Sequence, residues 1–453
     1  MNSDCPDVLN ILTVLTQKTI DCKEPFNSVC IGNCLNGLQG MSSDNAVVIE
    51  MLRALVIKVA KSPDAITSQC IGSALMGVRR MDTSTTVVKT LLAILALKIN
   101  ESKLVLDPIS FSMALNGLRS MDESSVEMRA LLSTLGDKIK NMDEKVLSPN
   151  VISNAMSGLR KMSGEHPESR QVLTAILSKM GSHVVQAKAN GPAPESTNTR
   201  QQPSIGQFTS LDIGRALYGL QSMSAESCPN VLPALNRMAL SVRTSRGPLY
   251  ARDAGLALFG LKSHIEEGVE VKEILSAITS RLSMSEDIMN AKSASMAMMG
   301  LQGLTSESKE VCDLLMLLGN RIGTLDSQAC GNILYSMKKM TSNKNEVRAF
   351  LAALAPKIEA CDEAMSSQEL ANAFYGKTNL VDVHQNSELL YRFFCPSFTF
   401  FCTSLQNHCR QSSTNLISAP ILPISSTHTH TIYHYPQSYL LFLLPITISI
   451  CIY

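Results

Sequence analysis

The chain has 453 residues, enough for one large core or several domains, and its 40 lysines and arginines nearly balance 39 aspartates and glutamates, giving a net charge of +1. This balance excludes a global electrostatic attraction to nucleic acid or acidic lipid. Aromatic residues make up only 5% and tryptophan is absent, which disfavours a base-stacking sheet surface of the RNA-recognition type.

The first predicted element covers residues 5–20, CPDVLNILTVLTQKTI, whose apolar residues recur at helical spacing. This segment matches the second helix of the repeat described below, and the first helix of its unit is missing. The array therefore starts in mid-repeat: either a preceding segment is missing, or one helix caps the array. The first ten residues form neither a signal peptide nor an arginine-rich transit peptide.

An eight-residue phrase is then restated along the chain: CLNGLQGM ends at Met41, ALMGVRRM at Met81, ALNGLRSM at Met121 and ALYGLQSM at Met223. Its glycines follow one another by 40 or 41 residues, apart from one interval of 61 and one of 36 before a copy in which Ser336 replaces glycine. A period this steady indicates a repeat array. The anchor glycines are Gly37, Gly77, Gly117, Gly158, Gly219, Gly260, Gly300 and Gly376.

Each unit contains two helical patterns. In the first unit, Ile31, Leu35 and Leu38 recur at helical spacing and define helix A, and the run VVIEMLRALVIKV at 47–59 defines helix B. Turns rich in Ser, Asp and Asn, such as SSDN and DESS, separate the two and predict caps for helix B. Proline opens some A helices, as in DPIS and SPNV, where its missing N–H costs nothing.

The recurrent glycine is predicted to lie inside helix A, where it costs about 1 kcal/mol relative to alanine. Because this loss is repeated in most units, we assign it to close approach of the neighbouring unit's helix. One helical hairpin cannot cover its own apolar stripe and must stack on the next. The sequence therefore predicts an all-α fold: an α-solenoid superhelix of about eight to nine helix-turn-helix repeats of about 40 residues, with a poorly structured C-terminal tail.

A linker interrupts the array at 186–207, QAKANGPAPESTNTRQQPSIGQ, and its Pro, Ser, Asn and Gln content predicts a disordered loop. The linker divides the predicted solenoid into a first part at 1–185 and a second part at 208–385. Residues 386–453 form a hydrophobic tail without the repeat, predicted to be of low order or of non-native sequence.

Two alternatives concern this tail. A membrane anchor at 439–453 would be only about 22 Å long as a helix, short of the ~30 Å hydrocarbon core, and Pro445 interrupts it. The segment HTHTIYH offers His428, His430 and His434 as metal ligands, but no acidic or thiolate ligand stands beside them. We therefore expect neither a membrane partner nor a metal site.

The sequence contains no catalytic constellation: GxSxG, the phosphate-binding GxxxxGK[ST] and HExxH are all missing. The 13 cysteines are scattered without a CxxC pair, which is typical of buried thiols rather than of disulfides or a zinc site. We expect no enzymatic activity, no cofactor and no small-molecule substrate.

The residue two positions after the anchor is Arg, Lys or Gln in every one of eight units. It points away from the core stripe of helix A, so the units present a row of long hydrogen-bond donors. Such a row suits a nucleic-acid strand, whereas the alternative is a cation that complements the helix dipole. This +2 column consists of Gln39, Arg79, Arg119, Arg160, Gln221, Lys262, Gln302 and Lys338.

A second column lies 21 residues after the anchor, in the last turn of helix B, and only the fifth unit departs from it. It predicts one phosphate contact in each unit. The alternative is a solvated cation that complements the helix dipole. This +21 column consists of Lys58, Lys98, Lys138, Lys179, Arg281, Arg321 and Lys357.

The position just before the anchor varies freely among fixed neighbours. A reader of one base per unit would show this variation, and so would an unconstrained, half-exposed position. This −1 column consists of Asn36, Met76, Asn116, Ser157, Tyr218, Phe259, Met299, Tyr335 and Tyr375.

Over roughly residues 5–380, the units resemble the near-forty-residue helical repeats of organellar RNA-processing proteins, the octotricopeptide-repeat and RAP-domain group. The first helix of those repeats carries an NxxxALxxL phrase, which SNAMSGLRKM at 153–162 and ANAFYGKTNL at 371–380 resemble. The Pro-Pro-Pro-Glu-Trp signature of the octotricopeptide unit is absent. The resemblance implies an all-α superhelix that binds single-stranded RNA in chloroplasts or mitochondria and affects RNA stability, splicing or translation.

Two functions follow from these patterns. The first is an RNA-binding helical-repeat protein that recognises single-stranded organellar RNA and acts in its processing, stability or translation. The second is a scaffold of HEAT or armadillo type that holds a protein partner in the groove of the solenoid. The near-neutral net charge argues against the first, because phosphate neutralisation usually supplies much of the affinity for RNA.

Overall fold

The computed structural model describes residues 5–142, 147–189, 207–245, 247–265 and 268–376. Within these residues the protein is all-helical, with eighteen α-helices and no strand. Short helices of 9 to 11 residues alternate with longer helices of 13 to 23 residues. This alternation confirms the predicted all-α class and the two-helix unit, while the predicted tail lies outside the described residues.

The short helices correspond to the predicted A helices and are even-numbered. They are α2 (Ser28–Asn36), α4 (Ser68–Gly77), α6 (Pro108–Gly117), α8 (Pro149–Ser157), α10 (Ser210–Tyr218), α12 (Ala251–Phe259), α14 (Ala291–Leu301), α16 (Ser327–Ser336) and α18 (Ser367–Gly376). The longer helices correspond to the B helices and are odd-numbered. They are α1 (Pro6–Asp21), α3 (Ala46–Lys61), α5 (Thr86–Glu101), α7 (Val126–Lys140), α9 (Pro167–Ala189), α11 (Val231–Thr244), α13 (Val269–Leu282), α15 (Lys309–Arg321) and α17 (Asn345–Glu359).

Each helix packs on the helix two places further along the chain. The A helices contact one another in sequence from α2 to α18, and the B helices do so from α1 to α17. Buried apolar side chains form one continuous cluster that runs from Leu12 to Leu354. The helical pairs therefore stack in chain order, with A packed on A and B packed on B.

Polar side chains cap the start of several helices. Asn45 and Ser125 accept hydrogen bonds from the first free N–H groups of α3 and α7. Asp107 and Ser148 cap α6 and α8 in the same way, each followed by a proline in the first turn. The contacts of Asn45 and Ser125 confirm the caps predicted for these two B helices, and each of the four contacts satisfies a backbone donor that lacks a partner within its helix.

The stack continues across the predicted linker. Helix α8 contacts α10, and α9 contacts α11. A Cβ atom on Gly219 would lie 2.0 Å from the carbonyl oxygen of Met156, which shows how closely the two A helices approach. Helix α9 extends to Ala189, four residues into the segment predicted as a linker. Residues 190–206 lie outside the described part of the chain.

The anchor glycine lies in the last turn of its A helix or directly after it, with right-handed backbone angles such as φ −63° at Gly219. A Cβ atom on Gly117 would lie 2.1 Å from the carbonyl oxygen of Leu75 in the preceding A helix. The corresponding distance is 1.8 to 2.2 Å for all seven anchor glycines that follow another A helix. The predicted close approach is therefore confirmed, and the glycine lies at the C-terminal end of its helix, inside it in some units and directly after it in others.

A second column of small residues faces the opposite way. Glycine or serine stands five residues before the anchor position in the first eight A helices, at Gly32, Gly72, Ser112, Ser153, Gly214, Gly255, Ser295 and Gly331. A Cβ atom on Gly72 would lie 2.8 Å from the Cα atom of Ser110 in the following A helix. An A helix between two others thus uses one small residue toward the unit before it and another toward the unit after it.

The cysteines divide between core and surface. Cys70, Cys228, Cys312 and Cys330 are buried, as the sequence predicts. Cys5 and Cys30 are exposed and three other described thiols are half-buried, so the prediction of buried thiols holds only for part of the set.

His264 replaces the methionine that ends the repeated phrase in the first five units. Its side chain is 2% exposed, and its buried Nε2 atom has no hydrogen-bond partner among the described residues. Burial lowers the pKa of His264 to about 4 from its ordinary value of 6.5, because the charged imidazolium is disfavoured in an apolar site.

This buried histidine should make the protein sensitive to acid. Between pH 6.5 and about pH 4, His264 is protonated in the unfolded chain but neutral in the folded chain. The free energy of unfolding therefore falls as the pH drops through this window. The expected loss at pH 4 is about 3 kcal/mol. We expect His264→Met to reduce this loss, as measured by urea unfolding at pH 7 and pH 4.5. An equal loss in both proteins would contradict the assignment.

Candidate nucleic-acid interface

The −1 and +2 columns meet at the ends of the A helices. The backbone N–H of Arg79 donates to the carbonyl oxygen of Met76 at 3.3 Å, and that of Lys262 donates to Phe259 at 3.2 Å. A turn of this 3₁₀ type places side chains three residues apart above one another. The two columns predicted separately from the sequence therefore lie together, one pair in each unit.

Arginines occupy the +2 column in three consecutive units, and all three are half-buried. The Nε atom of Arg160 donates to the carbonyl oxygen of Arg119 at 2.9 Å. The Nε atoms of Arg79 and Arg119 are buried and have no partner among the described residues. Donors of this kind bind strongly to carboxylate or phosphate oxygens when an anion reaches them.

These three arginines repel one another. Burial lowers the pKa of Arg119, and the positive charges of Arg79 and Arg160 lower it further. The ion pairs found within the described residues involve Arg53, Lys140, Arg243 and Lys344, and none of them includes this triplet. The triplet is therefore a row of like charges that lacks a counter-charge within the described part of the chain.

Aromatic rings dominate the −1 column in the later units. Tyr218 and Phe259 lie 5.8 Å apart between ring centroids, and Tyr335 stacks on Tyr375 at 5.6 Å. These four are among the ten aromatic residues present between residues 5 and 376. Overall composition therefore understates the local aromatic surface, because the few rings are concentrated in one column.

The cations of the later units contact these rings directly. The Nζ atom of Lys262 lies 4.7 Å from the ring centroid of Phe259, and that of Lys338 lies 4.3 Å from that of Tyr335. Burial lowers the pKa of Lys262. A cation held over an aromatic face offers both a charge for phosphate and a surface for a base.

The remaining members of the two columns differ in exposure. Gln39 is exposed, Gln221 is 7% exposed, and Gln302 is half-buried. Asn116 has a buried Oδ1 atom without a partner in the described residues. The other non-aromatic members of the −1 column are half-buried; they are Asn36, Met76, Ser157 and Met299.

The +21 column lies in the other layer of helices, and six of its seven members donate to backbone carbonyls, whereas the seventh, Arg321, is half-buried. Lys98 Nζ donates to the carbonyl oxygen of Ser62 at 2.8 Å, just after the preceding B helix. Lys357 Nζ donates to that of Gly319 at 3.0 Å, and Arg281 Nε to that of Val242 at 3.0 Å. Lys58, Lys138 and Lys179 make the same kind of contact. These cations therefore join consecutive B helices, whereas the predicted phosphate contact stays a prediction.

We expect Lys98→Met to lower the free energy of unfolding by about 2 kcal/mol, because a hydrogen bond from a charged donor is lost and the Ser62 carbonyl is left unpaired. Lys61→Met, at an exposed residue that ends the preceding B helix, is the control and should change stability by less than about 0.5 kcal/mol. Urea denaturation measures both. Equal effects would contradict the structural role of the +21 column.

One group of positioning residues is missed by the sequence analysis. Serine directly follows the +2 position in three units and donates to the carbonyl oxygen of the preceding unit's +2 residue. The contacts are Ser120 to Arg79 at 2.7 Å, Ser222 to Arg160 at 2.7 Å and Ser263 to Gln221 at 2.6 Å. The recurring serine is visible in the sequence. Its hydrogen-bond partner lies in another unit, so the spacing of residues within one unit does not predict the contact.

Other kinds of site find no support in the described residues. No group of His, Cys, Asp and Glu there is arranged to hold a metal ion. No helix in that part of the chain is both long and apolar enough to cross a membrane. Comparison with protein-family models gives no match, and comparison with curated proteins gives no similar sequence.

Proposed function

We propose that the protein binds single-stranded RNA along the row formed by the −1 and +2 columns. The observation that carries this proposal is the triplet of Arg79, Arg119 and Arg160, which is half-buried, mutually repulsive and without an acidic partner in the described residues. A polyanion with regularly spaced charges would supply the missing counter-charge in consecutive units. The neighbouring aromatic column would supply faces on which bases stack.

This proposal includes the finer architecture predicted from the sequence. The stacked pairs would form an α-solenoid superhelix of about eight to nine repeats, since each unit covers the apolar face of the next. The resemblance to octotricopeptide-repeat and RAP-associated proteins supports an organellar RNA as the target. RNA processing, stability or translation in a chloroplast or mitochondrion is then the proposed setting.

The near-neutral net charge fits a local site. Because the whole chain carries only +1, binding should depend on the five cations of the +2 column and not on the general surface. If all five contact phosphates, the logarithm of the binding constant falls against the logarithm of salt concentration with a slope of about −3.5. Binding should then weaken about 100-fold between 50 and 200 mM salt.

Filter binding with the full chain tests this proposal. The probe is a labelled pool of random single-stranded RNA, measured at both salt concentrations, with double-stranded RNA as the control. The proposal expects retention of the single strands, enrichment of a short motif after selection, and a steep salt dependence. No retention at low salt, or binding that salt does not change, would contradict it and favour the scaffold for a protein partner.

A further inference from the structure

Three buried polar atoms without a hydrogen-bond partner among the described residues lie where the second and third units meet. They are the Nε atoms of Arg79 and Arg119 and the Oδ1 atom of Asn116. In the described part of the chain seven buried side-chain nitrogen or oxygen atoms lack a partner, so three of the seven are concentrated here. Because an unpaired buried polar atom costs free energy, this concentration indicates a ligand that pairs with these atoms.

The packing of α4 on α6 brings the three side chains together. The Oγ atom of Ser120 donates to the carbonyl oxygen of Arg79 at 2.7 Å, so the end of α4 lies beside the residue that follows Arg119. The backbone N–H of Arg119 donates to the carbonyl oxygen of Asn116 at 3.4 Å, and this turn places their two side chains above one another. Burial lowers the pKa of Arg119 and the charge of Arg79 lowers it further, because the two guanidinium groups are close.

Ser120 explains why the Nε atom of Arg119 has no partner within the described residues. In the next unit, Lys161 stands at the place of this serine, and the Nε atom of Arg160 donates to the carbonyl oxygen of Arg119 at 2.9 Å. In the third unit, Ser120 already donates to the corresponding carbonyl oxygen, that of Arg79. The serine thus replaces a contact that arginine makes in the next unit, and the Nε atom of Arg119 is left for a ligand.

This junction offers donors, one acceptor and an apolar surface. Arg79 and Arg119 supply donors only, whereas the Oδ1 atom of Asn116 is an acceptor beside the donor amide of the same side chain. Met76 and Met113 stand next to them in the same strip of the A helices and are half-buried, and methionine packs well against flat rings. The three polar side chains are also half-buried, so rotation about their single bonds presents these atoms to a ligand.

We propose that this junction, defined by Arg79, Asn116 and Arg119, holds a guanine base of the RNA strand. The proposal rests on the proposed function, because the strand delivers the base. Guanine has two adjacent acceptors, O6 and N7, which a guanidinium group binds as a pair, and N–H groups that the Oδ1 atom of Asn116 accepts. Adenine has an amino group in place of O6, which would set a donor against donors, and pyrimidines have no N7.

The arginines serve the base and the backbone of the RNA together. A guanidinium group has five N–H donors in a planar fork. The edge that contains Nε pairs with guanine, while the remaining donors contact a phosphate oxygen. The guanine contact therefore adds to the phosphate contacts of the +2 column and does not replace them.

Exchange of a single base tests this proposal on the wild-type full chain. The probes are oligouridine strands of about 15 nucleotides whose central residue is guanosine, adenosine or 7-deazaguanosine, which lacks N7. We expect the guanosine strand to bind about 30-fold more tightly than the adenosine strand and about 10-fold more tightly than the 7-deazaguanosine strand. Equal affinity for the three strands would overturn the guanine site and leave RNA binding intact, whereas retention of none of them would overturn both.

Substitution of the acceptor locates the site. Asn116→Leu keeps a side chain of similar size and should reduce the preference for guanosine over adenosine about 10-fold, with the affinity for an all-uridine strand changed less than about threefold. Asn36→Leu is the matched control, because Asn36 is also a half-buried −1 residue but its unit has the exposed Gln39 at +2. It should leave the preference unchanged. Circular dichroism checks that both variants fold, and a full preference in Asn116→Leu would overturn the assignment.

Discussion

Gly117→Ala is expected to lower the free energy of unfolding by about 3 kcal/mol or more. The added Cβ atom would lie 2.1 Å from the carbonyl oxygen of Leu75, and a backbone atom can yield only if two A helices move apart. Because neighbouring units depend on one another for burial, the loss should spread to α4 and α6. Urea denaturation measures its size, and amide hydrogen exchange measures whether those two helices lose protection first.

Gly37→Ala is the matched control for this prediction. Gly37 occupies the same place in the phrase, but its A helix is the first, and the nearest atom to a Cβ there is a carbonyl oxygen of its own segment, Cys34, at 3.3 Å. Alanine should therefore leave stability unchanged or raise it by up to about 1 kcal/mol. If the two substitutions have the same effect, close packing between units is not the reason for the repeated glycine.

Replacing Arg79, Arg119 and Arg160 together by glutamine is expected to weaken binding to single-stranded RNA about 100-fold. Three phosphate contacts are lost, so the slope of affinity against salt should fall from about −3.5 to about −1.4. Folding should be retained, because the change removes repulsion between half-buried guanidinium groups. Filter binding at 50 and 200 mM salt measures the affinity, and circular dichroism measures the fold.

A control with the same change in net charge separates this row from the general surface. Lys23, Lys61 and Lys103 are exposed near the ends of three successive B helices, in the other layer. Their joint replacement by glutamine should alter RNA affinity by less than about threefold. If both triple variants lose affinity equally, RNA is held by overall charge and not by the +2 column.

The sequence predicts the stacking of units well, because the stacking depends on local patterns. The glycine of ALNGLRSM at 114–121 signals a close approach, and the structure supplies the opposing atom, the carbonyl oxygen of Leu75. The second column, which includes Gly72 and Ser112, is equally regular in the sequence. The sequence analysis did not predict it, because glycine and serine share this column and no single residue type marks the contact.

The candidate site is harder to predict, because its contacts join different units. The sequence analysis predicts that the +21 lysines bind phosphate. The partner of Lys98 is instead a backbone carbonyl in the preceding unit, and residue spacing within one unit does not predict a contact between units. Likewise, a low aromatic content disfavours base stacking, yet Tyr335 and Tyr375 come together because their units stack. His264 shows the same limit: its lowered pKa depends on burial by neighbouring units.

Ultraviolet crosslinking of the full chain to single-stranded RNA, followed by mass spectrometry of the crosslinked peptides, tests the central claim most directly. The account predicts crosslinks on peptides that contain Tyr218, Phe259 or Tyr335, the rings of the −1 column that contact another ring or a cation of the +2 column. Crosslinks confined to the B helices or to residues 386–453 would contradict it.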